Sequence, residues 1–141
     1  MDNGKTSFLT GKQELVKLGH FDDIDMAIMI HSTSPEVADG SMGLAPSSNG
    51  FLAKNICFTG KASHAGSSPD KGINALNAAQ LALSAINAQR ETFRDEDCVR
   101  VHPIITKGGD LVNIVPAEVI METYVRGKTG RAILDAAHKV D

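Results

Sequence analysis

The order of elements along residues 50–141 predicts an α+β fold of ferredoxin-like plan, strand–helix–strand–strand–helix, with its last strand missing. Three observations carry that expectation. Apolar residues alternate with period two in three segments, amphipathic stretches with helical period follow the first and third of them, and Gly-rich turns separate the pieces. Residues 1–49 read differently, as a helix, a continuous apolar run and a Ser/Gly/Pro-rich stretch. They are expected to be a strip of an α/β domain plus a linker, so the domain boundaries fall at 1–49 and 50–141.

Each element has its own signature. From Gly11 to Leu18, Leu15 and Leu18 share a helical face beside Val16, and Gly19 stands where a helix C-terminus puts glycine. Ile24 to Ile30 is nearly all apolar, the pattern of a strand covered on both faces, ending in His31. Residues 32–50, with Ser41-Met42-Gly43 and Ala45-Pro46-Ser47-Ser48-Asn49-Gly50, have linker composition. Phe51 to Thr59 reads as a strand, with Phe51, Ala53, Cys57 and Thr59 on one parity and Leu52, Ile56 and Phe58 on the other. Gly60 to Gly72 is a polar loop. Ile73 to about Phe93 predicts a helix with the stripe Ile73, Leu76, Ala79, Leu83 and Ile86. Val99 to Thr106 predicts a second strand, turning at Lys107-Gly108-Gly109-Asp110. Pro116 to Arg126 predicts a third, with Ala117, Val119, Met121, Thr123 and Val125 on one face and Glu118, Ile120, Glu122, Tyr124 and Arg126 on the other. Thr129 to Val140 predicts a second amphipathic helix, with Ile133, Leu134, Ala136 and Ala137 apolar. A sheet short of one strand, and a lone helix and strand ahead of it, are together expected of a piece cut from a larger protein.

Composition excludes some partners. A net charge of −3 and a pI near 5.9 leave no basic footprint for nucleic acid or an anionic membrane surface. Aromatic residues at 4%, without Trp, supply few stacking platforms for bases. Cys57 and Cys98 lie far apart in apolar stretches and are expected as reduced, mostly buried thiols. No apolar run approaches the roughly 20 residues of a transmembrane helix, and Met1-Asp2-Asn3-Gly4 does not resemble a signal peptide, so a cytoplasmic location is expected.

Four residues stand out chemically. His31 ends an apolar run, where open α/β sheets place their ligands; it reads as a metal ligand or as an ordinary hydrogen-bonding strand cap. His64, in Gly60-Lys61-Ala62-Ser63-His64-Ala65-Gly66, has small neighbours that let a ligand approach, and reads equally as a solvent-facing turn residue. Asn113 follows the Gly-Gly-Asp turn and can both donate and accept. Arg126 offers a planar fork for a carboxylate, or a surface cation beside Glu118 and Glu122. His20, His102 and His138 read as structural or solvated.

Taken together, these segments resemble the aminoacylase and carboxypeptidase-like family of zinc-dependent amidohydrolases, in its aminobenzoyl-glutamate hydrolase and dipeptidase-like branch. The resemblance rests on Gly19 to His31, Gly60 to Gly66, Gly72-Ile73-Asn74-Ala75-Leu76-Asn77-Ala78-Ala79, Gly108-Gly109 with Asn113-Ile114-Val115-Pro116, and Tyr124-Val125-Arg126-Gly127. It implies an α/β catalytic domain with an inserted ferredoxin-like lid that also forms a homodimer. It implies two zinc ions per subunit in the full-length enzyme, with His31 as a zinc ligand and an incomplete metal site in this chain, which is expected to be inactive alone. His64 is implied as the lid histidine that enters the partner subunit's site and steadies the oxyanion, and Asn113 and Arg126 as lid residues that grip the substrate's carboxylate. The implied substrate is an N-acyl amino acid, aminobenzoyl-glutamate or a dipeptide. Two other readings compete: a non-catalytic module of similar plan that binds small amino acids or mediates assembly, and an RNA-binding ferredoxin-like domain, which the acidic balance and missing strand aromatics oppose.

Overall fold

The computed structural model describes residues 11–32 and 47–141. The chain divides into two compact units, residues 1–46 and 47–141. In the first, helix α1 spans Gly11–Lys17. It ends as the sequence predicts: Gly19 takes the left-handed region at φ 77°, its amide donates to Val16, and the His20 amide donates to Leu15. These two bonds close the last turn and satisfy carbonyls that the helix leaves open.

The strand expected over Ile24 to Ile30 does not form. The segment is extended but unpaired, with Met26 75%, Ile28 83% and Ile30 94% exposed. A doubly covered strand needs neighbours at both edges and cover on both faces, and no strand pairs with it among the described residues. The linker expected over residues 32–50 falls largely outside the described residues.

The second unit runs β1 (Gly50–Thr59), α2 (Ala75–Ala88), β2 (Arg100–Val101), β3 (Ile104–Lys107), β4 (Glu118–Gly127) and α3 (Gly130–Val140). β4 is central. β1 flanks it antiparallel, from Gly50 opposite Gly127 to Thr59 opposite Glu118. β2 and β3 flank its other side, also antiparallel. β1 and the β2–β3 line therefore run parallel with β4 between them, which is the split βαβ arrangement the sequence predicts.

The single strand expected from Val99 to Thr106 is broken into β2 and β3. Pro103 cannot donate to a ladder and holds its φ fixed, so pairing stops at His102-Pro103 and resumes at Ile104. The register holds across that break and slips only between Ile105 and Lys107, which blunts this edge of the sheet.

One sheet face is covered by the helices. Val119, Met121 and Val125 are fully buried there, with Thr123 4% exposed. Leu52, Ile56 and Phe58 of β1 pack from the side, on the parity opposite to Phe51. The helices present Ala75, Ala79 and Ile86 from α2 and Ala132, Ile133, Ala136 and Ala137 from α3; alanines let a helix sit close to a sheet. Burying a side chain the size of Met121 contributes about 1.5–3 kcal/mol.

Local chemistry sets the helix starts. The Asn74 side chain accepts from the amides of Leu76 at 2.9 Å and Asn77 at 3.1 Å, so α2 begins after Asn74. Ile73, expected on the helical stripe, instead bridges to Lys61 and is 62% exposed. Thr129 caps α3 by accepting from the Ala132 amide. Leu134, one of the apolar residues of this predicted amphipathic helix, is 54% exposed.

Two further expectations are corrected. Cys57 and Cys98 are free but exposed: Cys57 points to the uncovered sheet face, and Cys98 sits in a left-handed turn at φ 49°. Lys54, on the covered parity, reaches out along α3 to donate to the Ala137 carbonyl at 2.7 Å and pair with Asp141. A cation near a helix C-terminus is favourably placed. No helix among the described residues is long and apolar enough to cross a membrane.

Candidate functional site

His64 lies in the loop that leaves β1. That loop is fastened to the segment before β4 by backbone bonds. The Gly60 amide donates to Ala117 at 2.7 Å, Val115 to Ser63 at 2.9 Å, and Ala65 to Asn113 at 2.9 Å; His64 and Ile114 form an antiparallel bridge. The loop is also closely packed. A Cβ on Gly60 would come within 2.1 Å of the Ile73 carbonyl oxygen, and one on Gly72 within 2.4 Å of Ser63 Oγ. The Ser63 hydroxyl is buried beneath the loop with no hydrogen-bond partner.

The His64 ring is exposed but oriented. Its Nδ1 accepts from the backbone amides of Gly66 and Ser67, each at 3.1 Å. An imidazole nitrogen that accepts two N–H groups carries no proton. The neutral ring therefore holds its proton on Nε2, facing away from the loop. The arrangement is a pre-aimed N–H donor on a rigid base.

Asn113 sits beside it through the Ala65 bond, in a turn whose tip is apolar and open: Leu111 is 64% exposed and Val112 fully exposed. A shallow groove runs along this turn, lined by Ala62, Leu111, Ile114 and Pro116. At the groove, Glu118 pairs with Lys107 at 2.8 Å. The Lys107 ammonium, through its hydrogen bond and charge, holds the Glu118 carboxyl below the usual carboxylate range; Glu118 raises Lys107 in turn.

Arg126 lies elsewhere. It is near the other end of β4, opposite Phe51 and Arg100, on the sheet face the helices leave uncovered. At roughly 3.4 Å per residue, Arg126 stands about 27 Å along the strand from Glu118, near which the His64 loop is fastened. One chain thus brings His64 and Asn113 together and keeps Arg126 apart from both. The guanidinium of Arg126 stacks over Phe51, 5.5 Å from its ring centre, and Tyr124, 5.4 Å. The sequence marked Arg126 but neither ring. Tyr124 was readable from its parity with Arg126, whereas Phe51 needed the register of β1 against β4.

His31 lies in the first unit, exposed, with Nδ1 2.5 Å from the Ser32 carbonyl. Among the described residues, no three His, Cys, Asp or Glu side chains are grouped so as to hold a metal ion. They do not fit a complete zinc site.

Residues 47–141 thus form a βαββα unit that carries His64 on one loop and Arg126 on its open sheet face. Residues 47–140 match the peptidase dimerisation domain, and the chain belongs to that family. Its relatives include amidohydrolases and a dipeptidase, the branch that the sequence motifs resemble. The chain is 32% identical over 122 residues to the Xaa-Arg dipeptidase of Mus musculus, covering 82% of this chain and 25% of that protein. It is 32% identical over 120 residues to one of the p-aminobenzoyl-glutamate hydrolase subunits of Escherichia coli (strain K12), covering 83% and 26%. Among solved structures, the aminobenzoyl-glutamate utilization protein of Klebsiella pneumoniae superposes with a TM-score of 0.56 at 25% identity, over 64% of this chain and 22% of that one. The chain spans about a quarter of the length of the curated relatives it matches.

Proposed function

We propose that residues 47–141 form the substrate-covering, dimer-forming lid of a zinc-dependent amidohydrolase. Its substrate is an amide or peptide bond beside an amino acid with a free carboxylate: an N-acyl amino acid, aminobenzoyl-glutamate or a dipeptide. The observation that carries this reading is the His64 ring, locked by two backbone amides with its Nε2–H aimed outward. As an amide carbonyl becomes tetrahedral, charge grows on its oxygen. A fixed N–H donor that needs no rearrangement stabilises that charge more than the ground state. Arg126 supplies the planar fork for the carboxylate.

The separation of the two groups decides how they are shared. An extended dipeptide spans only about 7 Å, far less than the roughly 27 Å of strand between Arg126 and the Glu118 end of β4, near which the His64 loop is fastened. In a two-fold dimer each site is completed by both subunits, His64 with Asn113 from one and Arg126 from the other. Zinc belongs to the whole enzyme in this reading. His31 is assigned as one ligand, and the other ligands and the general base come from residues other than those described.

The test is kinetic. In the enzyme that carries this segment, His64→Ala lowers kcat by about 10²–10³-fold with KM little changed. A variant with unaltered kcat removes the role of His64 and the reading built on it.

A further inference from the structure

We infer that Phe51 and Tyr124 are positioning residues for Arg126, forming an aromatic cradle that presents its guanidinium as a ready-made carboxylate fork. The inference rests on the reading of Arg126 as the carboxylate-binding group and adds how that group is organised.

The geometry is specific. Phe51 is the direct cross-strand partner of Arg126, and Tyr124 lies two residues before it on the same face. The two rings pack on each other with centres 4.8 Å apart, tilted by 33°. Arg126 lies over both, at 5.5 and 5.4 Å from the centres, within the reach of about 6 Å at which a cation is drawn to a ring face. An attraction of this kind, between the charge and the ring faces, uses none of the guanidinium's N–H donors.

Those donors are not spent. Three other arginines of the unit are committed: Arg90 donates to the Val101 carbonyl at 2.8 Å, Arg100 to Val99 at 2.8 Å, and Arg94 pairs with Glu96 at 3.4 Å; Arg131, on the exposed side of α3, lies over no ring of the described residues. Among the described residues the Arg126 side chain makes no hydrogen bond or ion pair. The nearest acid on its own face of β4, Glu122, is about 14 Å away along the strand, and its other cross-strand neighbour, Arg100, is also cationic. A long side chain held by two rings has already lost much of its rotamer freedom. A carboxylate that binds it avoids that entropic cost.

The experiment uses the 141-residue chain and the Nε–Hε resonance of Arg126 in nitrogen–proton spectra. The titrant is hippurate (N-benzoylglycine), with hippuramide as its uncharged control. In the unaltered chain the resonance lies upfield, from the ring currents, and moves with hippurate but not with hippuramide. Phe51→Leu and Tyr124→Leu each remove upfield shift and weaken hippurate binding by about two- to fivefold, the size of an exposed cation–π contact. Tyr124→Phe restores both. Pentafluorophenylalanine at position 51 keeps the ring's shape but reverses its quadrupole. It weakens binding as the leucine variants do, and so tests the cradle even where a leucine variant fails to fold. If Arg126→Ala abolishes binding while the ring variants bind like the unaltered chain, the cradle is overturned and the carboxylate reading stands. If Arg126→Ala binds hippurate undiminished, or hippurate never moves the resonance, the carboxylate reading falls and the cradle with it.

Discussion

The amide of Ala65 donates to the carbonyl of Asn113 at 2.9 Å, so the histidine loop and the asparagine turn, distant in sequence, form one rigid piece. Functional groups on a shared base keep their spacing when the base docks, which is what a group meeting a transition state requires. His64 and Asn113 are therefore expected to act as a unit, and Arg126 separately.

The tautomer of His64 is the first expected outcome. With Nδ1 accepting from Gly66 and Ser67, the neutral ring carries its proton on Nε2. Long-range nitrogen–proton spectra at alkaline pH are expected to show Nδ1 unprotonated and Nε2 protonated. A dominant Nδ1–H form would leave the outward donor without a proton.

Sharing between protomers gives a second. His64→Ala and Arg126→Ala enzymes are each expected to be severely impaired. In mixed dimers, one of the two sites regains an intact His64 from one protomer and an intact Arg126 from its partner. Activity is then expected to recover to about half per mixed dimer, measured as hydrolysis of an N-acyl amino acid. Dimers shown to be mixed that stay inactive would mean that one protomer supplies both residues to the same site.

The two loop glycines separate sharply. Gly60→Ala places a methyl group 2.1 Å from the Ile73 carbonyl oxygen, a backbone atom that cannot swing aside. Overpacking of this kind costs typically about 1–3 kcal/mol. Gly66→Ala meets only His64 Cε1 at 3.4 Å and Nδ1 at 3.6 Å, ordinary contacts, and is expected to be close to neutral. Urea denaturation of the two variants checks the contrast; equal midpoints would mean the Gly60 loop relaxes freely.

The Lys107–Glu118 pair predicts a pH window. Glu118, lowered by Lys107, adds stability above its unfolded carboxylate range and loses it as pH falls through the depressed value. Lys107, raised by Glu118, adds stability below its ordinary value and loses it as pH rises through the raised one. The stability difference between the unaltered chain and Lys107→Met is expected to be flat across neutral pH and to shrink at both extremes. Both side chains are substantially exposed, so the difference is small and shrinks further in about 1 M salt. A difference unchanged by pH or salt would show that the pair contributes packing and not charge.

Local pattern was enough for much of this architecture, and for a physical reason. Which residues share a face depends on the period of the backbone alone, so Val119, Met121, Thr123 and Val125 were readable as one row. Caps depend on a few neighbouring atoms, so Gly19 was readable as a helix end. The break at His102-Pro103 was written there too, in a residue without an N–H, but the alternation around it masked the signal. Leu134 stays exposed because its neighbours in α3, and not its own hydrophobicity, set which side of the helix meets the sheet.

The sequence by itself determined the order of elements, the residues that share each face of β1 and β4, and the presence of His31, His64, Asn113 and Arg126. Only the tertiary structure decided what meets what. Strand pairing is long-range and leaves no mark on period, so the stacking of Phe51 and Tyr124 on Arg126 needed the register of β1 against β4. The fastening of His64 to Asn113, and their distance from Arg126, followed from where the loops close at the ends of the sheet. Burial of Ile24 to Ile30 was never a local property at all: an apolar run becomes a strand only when other strands supply the hydrogen-bond partners its backbone requires.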